Sequence, residues 1–329
     1  MNSLLNSNLS AKAKDIVKAF TVLHEQKLWH QLTLKLNEFF QLKETMPFQM
    51  ILFNDFISKF SDKIAPLSLA IFASMSSMSL LPLEGINFLS KFIKDDQEAN
   101  AYLNIKIGHY HLILGQLDQV KELSVKTEKM LNESSMDASI HAGYYRLMAD
   151  YFKAKNSYPQ YYHNALLYLS SVPLESLPLE EKQERAYELA ISALLGEGLY
   201  NFGKLLLHPV LNSLVGTEYD WLRNLLFQLN NGDMDGFDKT LKSKEFHKQN
   251  LLVSAQTFLR QKLCLMTLVE MIFKRSKESR GHMSFSDIAS EIRIPLEEVE
   301  HLVMKAQSLG IVKGYIDQVD SMILVYINV

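Results

Sequence analysis

Four turn signals recur along this chain at a spacing that few architectures can use. Leu114-Gly115-Gln116, Lys155-Asn156-Ser157, Gly196-Glu197-Gly198 and Asn230-Asn231-Gly232-Asp233 lie about 41, 42 and 34 residues apart. A recurrence of that length with helical stretches between is the period of a helical-hairpin solenoid. In such a fold no single hairpin buries its own apolar face, so each stacks on the next. Three of the turns carry similar tails: Gly115-x-Leu117-Asp118, Gly198-x-Tyr200-Asn201 and Gly232-x-Met234-Asp235. Glycine suits the left-handed residue that ends a helix, and the aspartate or asparagine is expected to cap the next one. The full tetratricopeptide signature is missing, which makes these degenerate tetratricopeptide-like pairs.

Helical spacing extends upstream. Ile16, Ala19, Phe20 and Leu23 form one apolar stripe, and Trp29, Leu32, Leu36, Phe39 and Phe40 form the next. With only 13 glycines and 8 prolines in 329 residues, long helices are favoured over a turn-rich β protein. The run Ile64–Leu83 is uncharged and raises the question of a membrane span. Pro66, Pro82 and the serines at 68, 74, 76, 77 and 79 dilute it, so a buried helix is expected and no membrane partner. The weakest point for a boundary is the loop Ser170–Glu181 with its two prolines. It divides a helical-repeat domain, 1–172, from a second domain, 173–329, whose helical part runs to 280. A central helix is expected from Leu251 to Lys274, apolar over a wide arc. Cys264 lies within it and is the one cysteine, which excludes an intrachain disulfide and a cysteine zinc site.

Nothing in the chain asks for an active site. His109 and His111, two apart on a helix, point roughly 200° from one another and cannot share a metal. Gly196-x-Gly198 lacks the preceding strand of a dinucleotide loop. Glu180-Glu181 and Glu297-Glu298 stand at helix starts, where the helix dipole accounts for them. No catalytic, cofactor-binding or metal-ligating residue is therefore assigned.

The last fifty residues differ from the rest. A short strand, His282–Ser284, precedes a helix, Phe285–Ile292. A second helix starts at Pro295, and two strands, Ile311–Ile316 and Met322–Val329, are joined by Asp317-Gln318-Val319-Asp320. Strand, helix, helix and hairpin in that order make a winged helix. Winged helices often read DNA with their second helix. Here that helix opens with Glu297, Glu298 and Glu300, and residues 281–329 hold three basic against seven acidic side chains. A surface that displaces cations from phosphates is positive, so no nucleic acid is expected. The basic run Lys274–Arg280 reads as the solvated end of a helix. Alternation in the last strand places Ile323, Val325, Ile327 and Val329 towards the helices, and Leu324 and Tyr326 away from them. Ile311, Lys313, Tyr315, Leu324 and Tyr326 form the expected partner interface, on a small sheet with a free edge.

Three strings then carry a resemblance: Phe285-Ser-Asp-Ile-Ala-Ser-Glu-Ile292, Glu298-Val-Glu-His-Leu-Val-Met-Lys-Ala306 and Gly310-Ile-Val-Lys-Gly-Tyr-Ile-Asp-Gln-Val-Asp320. Together they resemble the end of a PCI domain, most closely that of subunits of the proteasome regulatory-particle lid. The resemblance implies a mainly α protein: a right-handed solenoid of tetratricopeptide-like hairpins ending in a winged-helix subdomain with a small β-sheet. It implies a scaffold subunit without catalysis or cofactor, located in cytoplasm and nucleus and serving ubiquitin-dependent degradation. The implied partners are the other PCI subunits of the lid, above all the fifth non-ATPase subunit, with the deubiquitinase pair and the ubiquitin receptor of the regulatory particle. It also implies a further helix beyond Val329, so a shortened chain is expected, with bundle-driven incorporation in doubt. The alternatives are a PCI subunit of the signalosome or of a translation initiation factor, and a nucleic-acid-binding winged-helix protein.

Overall fold

The computed structural model describes residues 10–93, 96–275 and 282–325. It is mainly helical, with a three-stranded sheet near its C-terminus. Two compact units divide between Tyr151 and Phe152, ahead of the proline-containing loop.

The first unit contains α1 (Ala11–Glu25), α2 (Trp29–Gln41), α3 (Met46–Asp55), α4 (Pro66–Ser77), α5 (Pro82–Ser90), α6 (Gln97–Ile113), α7 (Leu117–Glu133) and most of α8 (Ala138–Ala154). Ser10 caps α1, its hydroxyl accepting from the Ala13 N–H at 3.3 Å. Phe20 on α1 is fully buried, edge-on to Phe39 (ring centroids 5.7 Å apart) and stacked on Phe56 (6.1 Å). The uncharged run from Ile64 is two helices, because Pro66 and Pro82 each open one. Its serines have structural partners: Ser74 and Ser77 pair their hydroxyls with Tyr102 (3.1 Å) and Tyr110 (2.9 Å) of α6. No helix among the described residues is long and apolar enough to cross a membrane.

The second unit begins at the end of α8. It continues through α9 (Tyr158–Ser171), α10 (Leu179–Leu195), α11 (Gly203–Leu207), α12 (Asp220–Asn231), α13 (Met234–Leu241), the short α14 (Lys244–His247) and α15 (Asn250–Ser254), and α16 (Gln256–Lys274). The four turns fall between helices as the spacing predicts. Gly115, Gly198 and Gly232 are left-handed, and so is Asn156 (φ +54°). The capping expectation fails at all three expected residues: Asn201 stands one residue before the N-cap, Phe202, its Oδ1 accepting from the Gly203 N–H at 3.0 Å in an Asx turn. Asp118 and Asp235 sit inside the first turns of α7 and α13. The cap of α13 is Asp233, accepting from the Gly236 N–H at 2.9 Å.

The central helix is shorter than its sequence pattern suggests. It breaks at Ala255, which leaves α15 as a separate turn, and Phe273 near its end is exposed. From Lys262 to Leu268 every residue is buried, so this stretch is packed all round. Lys262 is the unexpected member, 1% exposed. Its ammonium donates to the carbonyls of Ala193 (2.7 Å), Leu194 (3.2 Å) and Gly196 (2.9 Å), at the C-terminal end of α10. Those carbonyls include ones that a helix end leaves without an intrahelical partner. The rings of Tyr200, Phe202 and Phe258 stand 5.2–5.7 Å from the nitrogen. Burial pushes the ammonium down to about 7, while the carbonyl dipoles and ring faces act in the opposite sense.

Candidate protein-docking site

The terminal subdomain is built around β1 (Met283–Ser284), α17 (Phe285–Ile292), α18 (Leu296–Ser308), β2 (Gly314–Asp317) and β3 (Met322–Val325). Ser284 ends β1 and caps α17, its hydroxyl accepting from the Asp287 N–H at 3.1 Å. Arg275 approaches this corner from the end of α16. Its guanidinium donates to Asp287 Oδ2 (3.0 Å) and to the His282 carbonyl (3.2 Å). The Arg275 bond, helped by Ser284, holds the Asp287 carboxyl below the usual carboxylate range. Arg293, left-handed at the end of α17, reaches Asp235 of α13 at 2.8 Å. The hydrogen bond to Arg293 lowers the Asp235 pKa in the same sense.

The sheet order is β1-β3-β2, antiparallel throughout. Tyr315 lies opposite Leu324, and Ile316 opposite Ile323. Ile323 and Val325 are buried against the helices, so Tyr315 and Leu324 occupy the other face. Tyr315 is 66% exposed and Leu324 half-buried. Among the described residues no strand pairs with the outer side of β2, so its edge is open. Close strand approach explains the glycine that starts β2: a Cβ on Gly314 would stand 2.1 Å from the Leu324 carbonyl oxygen.

The polar turn closes the hairpin. Asp317 Oδ1 accepts from the Val319 and Asp320 N–H groups at 3.0 and 3.2 Å, an Asx turn, and Ser321 follows with φ +49°. Gln318 donates to Glu300 of α18 at 2.6 Å and Gln307 to the Gly314 carbonyl at 3.0 Å, which pins the hairpin along the helix.

Of the five expected interface residues the structure brings two together, Tyr315 and Leu324. Ile311 and Lys313 lie outside the strand, which starts at Gly314 and not at Ile311. Gly310 ends α18 with φ +70°, and the Ile311 and Val312 N–H groups turn back onto the Ala306 carbonyl. Ile311 is half-buried and Lys313 exposed. Tyr326, Ile327 and Val329 lie outside the described residues, as does the part of the basic run from Ser276 to Arg280. Val319, at the hairpin tip, is 93% exposed and was not among the expected residues. Its signal was there to find, a lone apolar residue inside an otherwise polar turn.

Two family models match the chain. One, for PSD13 N-terminal repeats, covers residues 16–226, and the other, for the PCI domain, covers 235–326. The chain is 38% identical to the probable 26S proteasome regulatory subunit rpn9 of Schizosaccharomyces pombe, over 92% of this chain and 80% of that one. It is 35% identical to the 26S proteasome regulatory subunit RPN9 of Saccharomyces cerevisiae, over 98% of this chain and 86% of that one. It is 34% identical to the 26S proteasome non-ATPase regulatory subunit 13 homolog B of Arabidopsis thaliana, over 92% and 82%. With helical repeats and a PCI domain matched in that order, the chain belongs to the PCI-domain family of 26S proteasome regulatory subunits that includes Rpn9 and non-ATPase regulatory subunit 13.

Proposed function

We propose that this chain is a non-catalytic scaffold subunit of the proteasome regulatory-particle lid, acting in lid assembly and so in ubiquitin-dependent degradation in cytoplasm and nucleus. The outward hairpin face joins it to a neighbouring PCI subunit. The observation that carries this reading is the exposed Tyr315 opposite Leu324 beside an open strand edge. An apolar pair on the solvent side of a sheet invites burial by another chain, and the β2 edge supplies unpaired backbone groups beside it. The neighbour we assign is the fifth non-ATPase subunit, with the deubiquitinase pair and the ubiquitin receptor as further partners.

Replacing Leu324 by aspartate places a charge at the centre of that face. Capture of the purified neighbouring subunit is expected to weaken by at least about tenfold, since burying an unpaired carboxylate costs several kcal/mol. The circular dichroism spectrum and thermal midpoint of the isolated chain should stay as in the parent. Equal capture by the variant and the parent would remove the outward face from the interface.

A further inference from the structure

A second surface lies far from the hairpin in sequence. The turn between α8 and α9, the flank of α10 and the start of α15 enclose a cleft of about 190 Å³. Its walls are Phe152, Tyr158, Tyr161, Tyr187 and Ile191, and Leu251, 56% exposed, stands in the lining as well. An apolar cavity of about 150 Å³ is enough to take a benzene ring. The polar groups of the lining are mostly committed within the chain. Tyr161 donates to Glu188 Oε2 at 2.6 Å, Tyr187 to Gln249 Oε1 at 2.9 Å, and Ser192 to the Glu188 carbonyl at 2.7 Å. The Ser157 hydroxyl is hydrogen-bonded to Gln160. Lys153 pairs with Glu188 and Glu184, and Arg185 stands 3.8 Å from Glu188. The lining itself holds one cation, Lys153, and one carboxylate, Glu188, and these pair, so the cleft has no spare charge with which to hold an ion. The side-chain amide of Asn156, on the left-handed turn residue, makes no hydrogen bond among the described residues.

We infer that this cleft takes a neutral aromatic side chain with a hydrogen-bonding edge, a tryptophan or tyrosine, presented by a partner polypeptide. Size and aromatic walls select a ring over an aliphatic chain, since ring pairs gain beyond area burial. Charge balance selects a neutral group. The Asn156 amide offers one polar contact to an indole N–H or a phenol. Lys153, exposed and paired with Glu184, belongs to the lining as well.

The test uses the chain itself, with the methyl resonances of Ile191 and Leu251 followed by NMR. The probes are acetyl-Gly-Gly-Trp-Gly-Gly-amide, free indole and acetyl-Gly-Gly-Leu-Gly-Gly-amide. The tryptophan peptide is expected to shift both methyls saturably, with a Kd on the order of 1 mM. It should bind at least about threefold tighter than indole and about tenfold tighter than the leucine peptide. Asn156→Gly keeps the left-handed backbone and removes the amide. It should weaken the tryptophan peptide about threefold and leave the leucine peptide unchanged. Leu251→Glu should weaken the tryptophan peptide more than fivefold at an unchanged thermal midpoint. Absence of saturation, or equal binding of both peptides, would overturn the ring assignment. Indole binding as tightly as the peptide would overturn the polypeptide source. A response in the Asn156→Gly chain equal to the parent's would overturn the polar contact.

Discussion

Replacement of Lys262 by methionine is expected to lower the unfolding free energy of the second unit by about 3 kcal/mol. Methionine fills much of the space but donates nothing, so the carbonyls of Ala193, Leu194 and Gly196 lose their shared donor inside the protein. Leaving a buried carbonyl unpaired costs roughly 1–3 kcal/mol, and relaxation of the loop recovers part of the total. The two tryptophans report the units separately, Trp29 in the first and Trp221 in the second. The urea midpoint read from Trp221 should fall, while that read from Trp29 stays in place. A midpoint unchanged at Trp221 would mean that other groups satisfy these carbonyls. The same lysine gives a pH signature. Its pKa falls from 10.5 to about 7 on folding. Between those values the unfolded chain holds more of this proton than the folded one, so stability rises with pH across that window. Below about 7 both states are protonated and this group's contribution is flat. The rise from pH 7 to 9 should be present in the parent and missing in Lys262→Met.

Gly232→Ala is expected to cost about 3 kcal/mol, from two sources. The residue is left-handed, φ +65°, which penalises any side chain by roughly 1–2 kcal/mol. A Cβ would also stand 2.8 Å from the Thr267 Cα, which belongs to the fully packed stretch of α16 and cannot step aside. Gly198→Ala isolates the first source. Gly198 has φ +75° and nothing within 4 Å of the added carbon, so its loss should be about 1 kcal/mol. Urea unfolding of both variants, read at Trp221, gives the contact term as the difference. Equal losses would mean that the α12–α13 turn does not rest on α16.

These two positions mark what can and cannot be read from residues alone. The turns were legible because glycine and asparagine are the residues that tolerate a left-handed backbone, and the chain places them at a regular interval. The second role of Gly232, close contact with α16, was not legible, because Thr267 is remote in sequence. Lys262 was not legible either. A single lysine in an apolar helical run reads as a charge extended to solvent, and its acceptors are backbone atoms that any residue would supply. The hairpin was legible in outline: the alternation that buries Ile323 and Val325 and turns Leu324 away is a period-two pattern. The start of β2 was misplaced by three residues. Ile311 and Val312 look like strand, but the left-handed Gly310 keeps them on the end of α18. The aromatic-walled cleft left no trace in the linear pattern, since its lining comes from four separate elements.

The tie between Lys262 and the end of α10 has a consequence for how the chain tolerates change. One partner is a side chain and the other is main chain, so only one of its two ends is encoded by residue identity. Ala193 and Leu194 could each be exchanged, within the limits of packing, without altering the oxygen atoms that receive the ammonium; Gly196 is held for a separate reason, since a Cβ there would stand 2.6 Å from the Ser192 carbonyl oxygen. A long-range link of this type is written at a single position. Pairwise covariation would not reveal it, whereas a scan that asks which single lysine resists exchange for arginine or methionine would find it directly.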